Sequence, residues 1–113
     1  MDGEAAKLKE EIDKKIKEVQ EYNELYDGFI EYIKKSEQNP YFEEAIISYF
    51  EENGNEYQKL DFLDMILSSE INIFCHWYKR ILMIAVKSKS YSLSFKANDI
   101  LDYYQAGFKN VHI

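Results

Sequence analysis

The sequence predicts an all-α protein of 113 residues, and three observations carry that expectation. Residues 4–36 repeat apolar side chains at helical spacing, residues 56–87 do the same, and turn and capping signals separate the two stretches. Two short helices complete the expected architecture, with the two long ones packed side by side.

Residues 4–36 read as one helix. Ile12, Ile16, Val19, Asn23, Tyr26, Ile30 and Ile33 recur at alternating steps of four and three, the a/d seam of paired helices with Asn23 at an a-type position. Tyr22 and Phe29 widen the seam in its second half, so the first half is expected to project and the second to enter the bundle. The same seam makes a homodimer through helix 4–36 an open option. Asn23 either specifies that pairing or makes an ordinary interhelical hydrogen bond.

Ser36–Asn39 form a turn, and Asn39-Pro40 opens a helix over 40–52. Asn39 is the expected cap and Pro40 the first helical residue, where no N–H is needed. This helix is expected to bury Phe42, Ala45, Ile46 and Tyr49, with Phe50 either buried beside them or an exposed anchor. It is expected to leave Ile47 exposed among Glu43, Glu44, Glu51 and Glu52. Gly54 supplies a left-handed stop. Asn55, with Gln58 three residues on, forms a capping box for the next helix.

Residues 56–87 are the expected central helix. At about 100° per residue, His76, Lys79, Arg80 and Lys87 fall in one polar arc interrupted only by Met83. Apolar side chains fill the rest of the circumference, the mark of a buried helix. Leu63, Phe74, Trp77 and Ile81 are assigned to the core, and Ser68-Ser69 marks a place for a bend or break. A short helix over 97–106 follows, capped by Ser94 or Asn98 and stopped by Gly107. Tyr91, Leu93 and Phe95 alternate with serines, so the alternative is an α+β fold with two short strands near 90–95 and 108–113.

The length suits a single domain over 1–113. The single Cys75 cannot form an internal disulfide, and the acidic start Met1-Asp2-Gly3-Glu4 has no apolar signal region. A cytoplasmic, reducing location is therefore expected. Lys outnumbers Arg thirteen to one, a bias of A/T-rich microbial genomes. The net charge is −7, against a general nucleic-acid binder. It is unevenly spread: residues 36–70 sum to −8 and residues 71–98 to +5.

No catalytic, metal or cofactor motif emerges. Cys75 and His76 are helical neighbours about 100° apart and do not face each other. His112 has no local ligand partner, and a zinc site needs three or four ligands. Glu51, Asn53 and Asn55 have the opening spacing of a calcium loop, but Glu56 and Phe62 occupy the positions where that loop needs Gly and Glu. Asp61 with Asp64, and Asp99 with Asp102, read as solvated carboxylate pairs. The chain is therefore not expected to be an enzyme or to hold a cofactor.

What remains is binding. The leading expectation is a small acidic protein that binds a basic protein partner, as an inhibitor, immunity or anti-defence factor. Its expected surface is Tyr41, Glu43, Glu44, Ile47, Phe50, Glu51 and Glu52, with aromatic and Ile anchors and carboxylates that steer encounter. The alternative is contact with nucleic acid or an anionic surface through His76, Lys79, Arg80, Lys87, Lys89 and Lys96, unless that stripe pairs with residues 37–64 of its own fold.

Overall fold

The computed structural model describes residues 3–69 and 75–111, with side chains as far as Tyr103. The regular structure among them is entirely helical, so the fold class is all-α. Six helices run α1 (Gly3–Glu21), α2 (Tyr26–Ser36), α3 (Phe42–Glu52), α4 (Glu56–Leu67), α5 (His76–Val86) and α6 (Tyr91–Val111). A short 3-10 turn, Asn23–Leu25, joins α1 to α2.

Neither expected long helix is continuous. Residues 4–36 break at Tyr22, whose backbone is extended (φ −132°, ψ 99°). The chain then folds back: the Tyr32 hydroxyl donates to Glu11 Oε2 at 3.1 Å, and Lys15 Nζ sits 4.9 Å above the Tyr32 ring. The break removes Tyr22 and Asn23 from the seam and exposes both, which spares Asn23 a buried amide. The first half of the seam does not project: Ile12, Ile16 and Val19, with Leu8 before them, are buried within the chain's own core, where α1 packs on α3. It is not available as a dimer seam.

Residues 56–87 divide at the serine pair. The Ser69 hydroxyl and the Ser69 N–H both donate to the Ile66 carbonyl, at 2.7 and 3.1 Å. They occupy a terminal carbonyl that the next turn of a continuing helix would have used. Cys75 is again extended (φ −62°, ψ 145°) before α5. Two buried or half-buried tyrosines tie neighbours to the end of α4. Tyr26 donates to the Met65 carbonyl at 2.7 Å and Tyr78 to the Leu63 carbonyl at 3.0 Å.

The start of α3 also differs from expectation. Asn39 Oδ1 accepts from Tyr41 N–H at 2.8 Å in a side-chain turn, so Pro40 stays in the turn and the helix begins at Phe42. The box at α4 is as expected: Gln58 N–H donates to Asn55 Oδ1, and Asn55 N–H to Gln58 Oε1, each at 2.9 Å. Gly54 precedes it at φ +75°.

The strand alternative fails over 90–95: Ser90 is the cap and 91–95 the first turns of α6. Ser90 caps α6: Leu93 N–H donates to its hydroxyl at 3.3 Å and Ser94 N–H to its carbonyl at 3.0 Å. Leu93, Ala97 and Ile100 form its buried stripe. Asn98 donates back to the Ser94 carbonyl and caps nothing, and α6 continues through Gly107 to Val111. Residues 112–113 of the second proposed strand lie outside the described residues.

The core is continuous. Helix α3 packs on α1 and on α5, and α6 packs on α5 and α4. Leu63, Trp77 and Ile81 are buried as expected; Phe74 lies outside the described residues. Phe42 meets Trp77 edge-on at 5.4 Å, and the Trp77 indole N–H donates to Glu37 at 3.4 Å.

Candidate functional site

The acidic side of α3 is only partly the surface the sequence outlines. Glu43, Glu44, Ile47, Glu51 and Glu52 do line one shallow groove of about 500 Å³, together with Pro40, Ser48 and Arg80. Ile47, however, is 6 % exposed and belongs to the core, because α3 is covered on two sides by α1 and α5. Phe50 is buried as well, ring to ring with Phe62 and under the Lys59 ammonium. Neither is an exposed anchor. Tyr41 is half-buried, while Glu44, Glu51 and Glu52 are exposed. Glu52 pairs with Lys9, which holds its carboxyl below the usual range.

The basic stripe is half spent inside the fold. Arg80 Nη1 meets Glu43 Oε2 at 2.8 Å, His76 Nε2 lies 3.7 Å from the same carboxylate, and Lys96 Nζ meets Asp64 at 2.6 Å. Lys79, Lys87 and Lys89 are exposed and, among the described residues, have no carboxylate within 4.0 Å. Beside them Met83, the apolar intruder in the arc, is exposed.

A further site emerges at the elbow between α1 and α2. Tyr22 is 51 % exposed and Leu25 42 % exposed. Glu21, Glu24 and Asp27 are exposed around them and, among the described residues, in no ion pair. A groove of about 330 Å³ continues from Tyr26 and Asp27 past Ile30 to Ser68 and Ser69. The elbow thus joins apolar anchors, uncommitted carboxylates and an adjoining recess. The a/d spacing hides it, because the pattern runs unbroken through the turn. The one signal against continuity is Asn23 at a seam position.

Cys75 is half-buried, and burial pushes its thiol above the ordinary value, the reverse of an activated thiol. Among the described residues no three His, Cys, Asp or Glu side chains gather as a metal site. No helix among them is long and apolar enough to cross a membrane. No protein-family model, curated protein or solved structure matches the chain.

Proposed function

We propose that this chain acts by binding another protein that presents a basic surface, and that the elbow at Tyr22–Leu25 makes the contact. The observation that carries this reading is the exposure of Tyr22 and Leu25 among Glu21, Glu24 and Asp27. An aromatic and an aliphatic anchor supply burial on docking, and the carboxylates speed encounter with a cationic partner. Inhibitor, immunity and anti-defence factors are the roles that suit so small a binder from an A/T-rich microbial genome. The α3 groove supplies charge without an exposed apolar anchor, so it serves as a flank.

Affinity capture from cell extract with the purified protein tests the idea. The parent is expected to retain a basic protein in a salt-sensitive way. The double variant Tyr22→Ala/Leu25→Ala should lose it with an unchanged circular dichroism spectrum, and Glu21→Lys/Glu24→Lys should slow association. Equal capture by all three rejects the elbow.

A second reading keeps nucleic acid or an anionic surface as the partner, supported by the exposed Lys79, Lys87 and Lys89, which have no carboxylate within 4.0 Å among the described residues. Its signature is an affinity that falls steeply with salt and is lost in a variant with all three lysines changed to Glu.

A further inference from the structure

The outward face of α6 carries an aromatic pair with no role in the core. Tyr91 is 81 % exposed and Phe95 61 % exposed. Their rings stack on each other, centroids 6.0 Å apart and planes 26° from parallel, while Leu93, Ala97 and Ile100 bury the opposite side of the helix. Apolar rings held in water lower no energy in the isolated chain beyond their own contact; covered by a partner, they do.

The groups around Phe95 are arranged with a symmetry. Tyr91 lies four residues before Phe95 and Asp99 four after it; Lys89 lies six before and Asp102 seven after. At the helical rise Asp102 sits roughly 10 Å along the axis from Phe95, and Lys89 lies just before the Ser90 cap, at the opposite end of α6. Lys89, Asp99 and Asp102 are exposed and in no ion pair among the described residues. Lys87 is exposed at the same end as Lys89.

We propose that this face binds a second copy of the chain, two α6 helices crossing antiparallel at Phe95 about a two-fold axis. A two-fold contact requires a patch that complements itself when reversed. Reversal about Phe95 sets Phe95 on the partner's Phe95. It sets the Tyr91 hydroxyl against the carboxylate of the partner's Asp99, and Lys89 against the partner's Asp102. Each cationic end meets an acidic end, and the helix dipoles oppose one another favourably. A partner of uniform charge would match one end of this face and clash with the other. Two aromatic anchors per copy place the contact at the small end of protein interfaces, so the dimer forms reversibly with concentration. The elbow residues take no part, and the inference stands apart from the elbow reading.

Sedimentation velocity over a dilution series tests it. The parent is expected to shift from one chain mass toward twice that mass as concentration rises. Phe95→Asp should remain monomeric throughout with an unchanged circular dichroism spectrum. The charge variants Lys87→Glu/Lys89→Glu and Asp99→Lys/Asp102→Lys should each be monomeric alone, and an equimolar mixture of the two should dimerise, since each then supplies the sign the other needs. A parent that stays monomeric at every concentration overturns the proposal. So does a dimer that survives Phe95→Asp, or a mixture no heavier than its components.

Discussion

Trp77 shows how single side chains hold this bundle. It is buried, edge-on to both Phe42 and Tyr78, and bonded through its indole N–H to Glu37. Trp77→Ala is expected to destabilise the fold by about 3–5 kcal/mol, the range for large aromatic truncations, read as a lower denaturant midpoint. Ile47→Asp should likewise cost stability, because at 6 % exposure the new carboxylate would be taken largely out of water. A variant as stable as the parent would show that Ile47 is solvated after all. Raised tyrosine hydroxyls, Tyr26 among them, contribute to the alkaline limit. Burial pushes Tyr49 well above its ordinary value, and burial with the Glu11 hydrogen bond takes Tyr32 to about 12. A raised folded pKa stabilises the fold fully below the unfolded value near 10 and loses that contribution as pH rises through the folded value. Stability should thus not decline on account of these groups up to about pH 10, then fall toward pH 12. Tyr49→Phe should shrink the fall, as followed by denaturant titration at each pH.

At the scale of the element, the joint between α3 and α4 is the most closely determined local feature. A Cβ at Gly54 would adopt φ +75° and lie 3.0 Å from Gln58 Oε1, the atom that accepts from Asn55 N–H. Gly54→Ala is expected to cost about 1–2 kcal/mol from the left-handed backbone, and Asn55→Ala about 1 kcal/mol from the lost cap. Thermal melts of the two variants check both figures. This joint was legible in the sequence because its causes are local: a glycine, an asparagine and a glutamine within five residues. The break after α4 was marked in the sequence by Ser68-Ser69, where the helix does end, but the break after α1 was not legible. Helical periodicity continues through Tyr22–Leu25 and toward Cys75, and one carbonyl at the end of α4, that of Met65, is taken by the distant Tyr26. In α6 two patterns competed. The serine alternation at Tyr91, Leu93 and Phe95 imitates a strand, whereas Leu93, Ala97 and Ile100, at steps of four and three, carry the helix that forms. The candidate site shared this fate. Its charge was visible residue by residue, but which apolar groups stay in water depends on where the chain reverses.

At the scale of the whole molecule, the α1–α2 reversal is open to direct measurement. One unbroken helix would separate labels at Glu10 and Lys35 by about 38 Å along its axis. The Tyr32–Glu11 contact instead brings these ends of α1 and α2 near each other. Spin labels at the two positions in a Cys75→Ser background should report the short distance, and one near the helical length would reject the reversal. The placement of α3 has a further consequence, for synthesis. Its neighbour α1 leaves the ribosome before it, but α5 follows, and Trp77 comes thirty-five residues after the Phe42 ring it packs on. At ordinary elongation rates that is a delay of about 2–7 s. During it Phe42 of the nascent chain waits without its ring partner, next to Glu43 and Glu44, whose charges disfavour a close contact with another acidic chain.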